Sequence, residues 1–192
     1  MFLDQQLFYS GHKKQHAIAH LAIVLPNGLF SAVFPGVPAS GGDASLCIHL
    51  GLGQRLRKLL YWLPEGESRY VYGDAAFSSQ DFVLGPYKRA NGQILTPTQK
   101  KLNQWLSKRR IVVKHGFGGV KMSFKLLGLK TSLVPGLVPV GIYMLVFSFL
   151  YNCRTCIRGG NQILELLGMP QPSIKAYVQG RFGVESEIRV EI

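Results

Sequence analysis

Acidic residues are scarce in this chain. Ten Asp and Glu stand against 22 Lys and Arg in 192 residues, a net charge of +12 with a pI near 9.9. Between Asp81 and Glu165 there is no acid at all. That stretch holds thirteen basic residues and carries +13, while the rest of the chain sums to −1. So lopsided a balance favours an anionic partner, nucleic acid before an acidic membrane surface. Cysteine is scarce too. Three, an odd number, exclude a disulfide scaffold and fit a reducing compartment. The opening MFLDQQLFYSGHKK lacks the basic start and apolar run of a secretory signal. No segment repeats, and none is low in complexity. Only 17% of residues are charged and 47% are hydrophobic, which excludes a disordered composition and suffices for one globular domain with a core.

What is present begins with β-type pieces. LFYS, HLAIVL and LFSAVF over Leu7–Phe34 are punctuated by Ser10-Gly11, Pro26-Asn27-Gly28 and Pro35-Gly36, and they predict a β meander. Asp43 is placed as the N-cap of a helix running to about Leu60. Pro64–Glu67 reads as a loop, and Arg69–Gly73 as a strand that delivers Asp74 at its C-terminal end. Phe77–Leu95 reads as loop. Thr96–Arg110 reads as one helix with Leu102, Trp105 and Leu106 on its apolar face. A second helix, Arg110–Leu127, has Val113, Phe117, Val120 and Phe124 as its stripe, with Lys114, Lys121 and Lys125 alongside. From Thr131 to Asn152 there is no charge, which imitates a membrane span. Pro135, Gly136 and Pro139 break the first part, and Val140–Tyr151 has the length of a core helix. Strands, helix, strand and helices in that order predict an α/β domain with a mixed sheet.

Four stretches resemble the PIF/Harbinger branch of the DDE nucleases: LFYSGHKKQHAIAHLAIVLPNG (7–28), VYGDAAF (71–77), LNQWLSKRRIVVKHGFGGVKMSFKLL (102–127) and FLYNCRTCIRGGNQ (149–162). Their order and spacing carry the likeness, over Leu7–Gln162. The resemblance implies an RNase H-like fold, expected here to lack its first central strand. It implies DNA cleavage by three carboxylates holding two divalent metals, Mg²⁺ or Mn²⁺, and so DNA as partner. Asp74 matches the second family acid and is the expected metal ligand. The third acid's position, four residues after Arg110, holds Lys114. The first acid, an Asp in an Asp-Gly-Thr strand, has no counterpart, since only six residues precede Leu7 and Asp4 is in a different context. An ammonium at Lys114 repels Mg²⁺ and could pair with Asp74 instead.

The expectation is therefore a remnant of a transposon-derived endonuclease, catalytically impaired, with residual metal and DNA binding. Lys108, Arg109, Arg110, Lys121 and Lys125 are its candidate DNA contacts. One alternative is an active nuclease that borrows an acid from Asp4, Glu65 or Glu67, and another is a small membrane-associated protein using 131–152. His12, His16 and His20 recur every four residues but lack the carboxylate or Cys that would complete a zinc set. Cys153 and Cys156, with only Cys47 besides, read as structural. Phe77 and Tyr87 lie among basic residues as possible DNA contacts. The domain is expected over 1–165, with 166–192 as a tail. No stable membrane partner is expected, the oligomeric state stays open, and the expected location is the nucleus if the source is eukaryotic, otherwise intracellular.

Overall fold

The structure is a computed structural model that describes residues 5–11, 14–60, 70–77, 81–89, 94–128, 139–161, 163 and 171–179. Asp4, His12, Glu65, Glu67, the predicted loop 64–67, the Pro135-Gly136 break and most of the 166–192 tail lie outside those residues.

The predicted meander is built from short antiparallel pairs. β1 (Tyr9–Ser10) pairs with β2 (Gln15–His16), and β3 (Ile18–Ala19) pairs with β6 (Val37–Pro38). Between them β4 (Ala22–Val24) pairs with β5 (Phe30–Val33) across the Pro26-Asn27-Gly28 turn. The turn is closed by the Gly28 N–H donating to the Leu25 carbonyl at 2.8 Å. The Leu29 N–H donates to the Asn27 side chain at 3.2 Å.

A bulge in this hairpin sorts its side chains. Ile23 faces Ala32, but Val24 faces Phe30, so Ser31 is the extra residue. One inserted residue reverses the alternation of faces beyond it. Ala32 and Phe34 accordingly pack on one side, with Leu21 and Ile23, while Phe30 turns to the other.

The first side is covered by two short helices, α1 (Gly42–His49) and α2 (Leu52–Leu60). The sequence predicts a single helix here, but Gly51 adopts φ +56° and breaks it. That conformation is costly for a residue with a Cβ and open to glycine. Helix α1 starts at Gly42 with Gly41 in the cap position, so Asp43 falls inside the first turn and is not the N-cap. Leu46, Cys47, Leu50, Leu52 and Leu56 form this core with Phe34 and Val83. Each leucine so buried contributes about 1.5–3 kcal/mol of apolar transfer.

β7 (Val71–Tyr72) is the predicted strand before Asp74. It pairs in parallel with β8 (Val83–Leu84), which falls in the stretch read as loop. Among the described residues the strands thus form four two-stranded sheets, in a chain that is α/β in general.

Helix α3 (Pro97–Ser123) replaces the two helices expected on either side of Arg110. Its start is fixed by a capping box: Thr96 accepts from the Gln99 N–H, and Gln99 accepts from the Thr96 N–H, with Pro97 in the first turn. Nothing at Arg110 interrupts the ladder. One of the glycines that argue against a helix is explained by the close packing of α3 on α4 (Val140–Arg158): a Cβ at Gly119 would meet the Tyr151 hydroxyl at 2.5 Å. Val120, fully buried, joins Phe30, Met144 and Tyr151 in the second core, with Phe117 and Phe124 against it. Trp105 departs from expectation. It is 42% exposed and stacks under the Arg109 guanidinium, 3.4 Å from its ring centre, because the first half of α3 extends beyond the core.

α4 is only half a core helix. Length and composition alone would let it cross a membrane. Its buried face carries Ser148, Asn152 and Thr155 among Met144, Tyr151 and Cys156, while Ile142, Val146, Phe149, Leu150 and Ile157 are exposed. The buried amide of Asn152 acts as a third strand for β5. It accepts from the Phe30 N–H at 3.0 Å, donates to the Phe30 carbonyl at 2.8 Å, and donates to the Tyr177 hydroxyl at 2.9 Å. Tyr177 belongs to α5 (Ile174–Val178), which with Leu29 and Cys156 closes a third small core.

Candidate functional site

Strand β7 ends at Tyr72, and the chain then turns through Gly73 and Asp74 into a 3-10 turn at Ala75–Phe77. Asp74 therefore stands at a strand end beside α3. Its Oδ1 accepts from the Ala75 N–H at 2.6 Å, and its Oδ2 pairs with Arg110 Nη1 at 2.8 Å. The pair is 51% and 31% exposed on the Asp and Arg sides.

Lys114 lies one turn further along α3. The sequence offers it as the partner of Asp74, but Arg110 takes that place. Its planar fork reaches the strand end, and the Lys114 side chain stays exposed with no ion pair among the described residues. Lys88 donates to the Ala75 carbonyl at 3.1 Å, adding a third cation near the same turn. Lys108, Arg109, Lys121 and Lys125 are all exposed along α3 and just past it, and among the described residues Arg110 is the one candidate DNA contact tied to an acid.

Asp74, Arg110 and Lys114 stand at a cavity of about 270 Å³. Its walls are apolar: Leu46, Leu52 and Leu56 from α1 and α2 on one side, Val113 and Phe117 from α3 on the other. His20 also borders it. Both ring nitrogens of His20 are buried with no hydrogen-bond partner among the described residues. Burial lowers its pKa from the ordinary 6.5. The Phe34 backbone opposes this, and the nearby Lys121 charge reinforces it. The ring is therefore neutral at pH 7.

The donor set does not fit a pair of divalent ions. Both Asp74 oxygens are already engaged, two cations sit within one helical turn of each other beside it, and no three His, Cys, Asp or Glu side chains converge among the described residues. The zinc reading of His16 and His20 fails on the same ground: His16 is exposed on β2 against Tyr9, while His20 is buried. Cys153 and Cys156 are free thiols near the third core, where burial raises the Cys156 pKa, in keeping with a structural role.

A family profile described as DDE superfamily endonuclease matches residues 2–152. The chain belongs to the DDE superfamily endonucleases. No curated protein matches it, and neither does any solved structure. The family generally uses divalent metals and acts on DNA. Within this DDE chain the match ends at Asn152, the buried amide that ties α4 to β5.

Two parts of the arrangement were missed in the sequence. The Arg110–Asp74 pair had no signal beyond the presence of both residues, since a spacing of 36 positions says nothing about contact. The role of Asn152 had one: a lone amide inside an uncharged apolar run needs a buried partner. Asn161, nine residues further on in GGNQ, donates to the Asn27 carbonyl at 3.1 Å and so pins the hairpin turn.

Proposed function

We propose that this chain is a PIF/Harbinger-type remnant of a transposon-derived DDE nuclease, which holds DNA through the basic surface of α3 and does not cut it. The single observation that supports this reading is the charge at the strand end: the one matched acid, Asp74, is neutralised by Arg110 with Lys114 one turn away. Two metals and a phosphate require converging anions, and here the cations outnumber them. Residual metal affinity would rest on Asp74 alone and be weak. The core β-strands and the helices on either side are compatible with an RNase H-like ancestor. If the source is eukaryotic, the place of action is the nucleus.

The reading is tested with purified protein and supercoiled DNA in Mg²⁺ or Mn²⁺. No nicking is expected. Nicking that Asp74→Ala abolishes would favour an active endonuclease instead. DNA affinity should fall steeply as salt rises from 50 to about 200 mM, because neutralised phosphates release counterions. An affinity that does not move over that range rules the electrostatic mode out.

A further inference from the structure

The cavity beside Asp74 has an unusual border. Four consecutive residues of one segment line it, His20 to Ile23, and so do four of another, Val71 to Asp74. A strand that shows one face to a cavity contributes alternate residues. A strand that contributes every residue shows its backbone edge.

The pairing on the far sides agrees. The Leu21 carbonyl accepts from the Phe34 N–H, so Leu21 points toward β5, and its neighbour Ala22 points away. Val71 and Gly73 donate to the carbonyls of Phe82, just before β8, and Leu84, in β8, so Tyr72 points away. β4 has β5 as its only strand neighbour, and β7 has only β8, among the described residues. Among the described residues, two open strand edges therefore border one cavity. It is roofed by α3 and floored by α1 and α2, as the inside of a sheet is. Apolar walls close its depth, and Arg110 and Lys114 stand at its rim against the single charge of Asp74.

We infer that this slot is a docking site for one extended peptide strand of a partner protein, apolar at alternate positions and carrying a carboxylate that meets Lys114. Backbone pairing with Ala22 and Tyr72 supplies the hold, as in strand addition to an open edge generally. Complementary charge supplies register and selectivity. An open edge left unfilled is also an aggregation hazard, which an occupying strand removes. A phosphate or nucleotide can meet the rim charge but leaves both edges unpaired, so the peptide is the occupant the edges favour. The inference does not use the DNA-binding reading.

The test uses the whole chain and three labelled nine-residue peptides, each alternating Val and Thr. One has a central Asp, one a central Lys, and one keeps the Asp with Pro on both sides. Fluorescence anisotropy reads binding, and amide exchange reads protection. The Asp peptide should bind at least ten times more tightly than the Lys peptide. The Pro peptide should not bind, because it lacks the strand donors. The Ala22 and Tyr72 amides should gain protection only with the Asp peptide. Lys114 is exposed, so Lys114→Glu keeps the fold and should reverse the order of the Asp and Lys peptides. Equal binding of the Pro peptide, unchanged exchange at Ala22 and Tyr72, or an unreversed order in Lys114→Glu would each overturn the inference. Salt-dependent DNA affinity measured on the same preparation stands or falls separately.

Discussion

Two polar constructions hold distant parts of this chain together, and they are built in opposite ways. Asn152 is buried and neutral, and its amide is matched on both sides, to the two backbone groups of Phe30 and to Tyr177. The Arg110–Asp74 pair is charged and half exposed, and it stands beside groups that have no partner among the described residues: Lys114 and both nitrogens of His20. The first has nothing left to offer a ligand. Its removal strands buried groups, so it serves the fold. The second leaves net charge and, among the described residues, open edges at a cavity, which is where the proposed peptide would dock. Burial decides which is which, because an unpaired polar group is costly in the core and cheap in water.

The sharpest way to break this contrast is Asn152→Ala. The Phe30 N–H and carbonyl would lose their partners in a site closed to water, and each such loss costs about 1–3 kcal/mol. A total destabilisation of about 2–4 kcal/mol is expected in urea or thermal unfolding, among the larger effects of a single substitution. A loss below about 1 kcal/mol would mean that water reaches the site and that the clamp is not what joins α4 to β5.

How legible this contrast was in the sequence follows from the same physics. Short-range signals read well. Pro26-Asn27-Gly28 marked the turn, the predicted helix from Thr96 matched where α3 begins, and RYVYG placed the strand that ends beside Asp74. Signals that depend on packing did not. The glycines of α3 count against a helix on propensity alone, and only the approach of Tyr151 explains Gly119. Trp105 sits on an apolar helical stripe, yet no described element covers that turn, so it lies exposed under Arg109. β8 is a two-residue strand whose partner is remote, and it has no periodicity to read. At the site, the pairing was not legible: Asp74 takes Arg110 where the sequence offered Lys114. Whether Arg110 or Lys114 reaches Asp74 depends on how α3 lies against β7.

A second, smaller effect concerns His20. Folding holds its ring neutral, chiefly by burial and further by Lys121, so the folded pKa lies below the unfolded value of about 6.5. The sign follows by linkage. Above 6.5 the ring is neutral in both states and its contribution is complete. Below 6.5 the unfolded chain takes up the proton first, so stability falls as the pH drops toward the folded value. Melting curves between pH 7.5 and 5.5 should show this loss, and His20→Gln should shallow the slope within that window. An unchanged slope in His20→Gln would assign the loss to other groups. An NMR titration in which the His20 signal moves at or above pH 6.5 would place the ring in contact with solvent or with an anion.

The smallest expected effect tests the other half of the contrast. Because Arg110 and Asp74 are both partly exposed, a double-mutant cycle with Arg110→Ala and Asp74→Ala should give a coupling of only about 0.2–1 kcal/mol. The corresponding cycle between Lys114→Ala and Asp74→Ala should give less, since no ion pair joins those two. Stability should therefore barely register Asp74→Ala, while DNA affinity at low salt should rise, because the substitution frees Arg110 and removes an anion from a basic surface. A strong stability loss without a gain in DNA affinity would mean that Asp74 is held for the fold, like Asn152, and the division between the two constructions would collapse. A Lys114 coupling larger than that of Arg110 would instead move the acid's partner one helical turn along α3, leaving Arg110 as the free cation at the cavity rim.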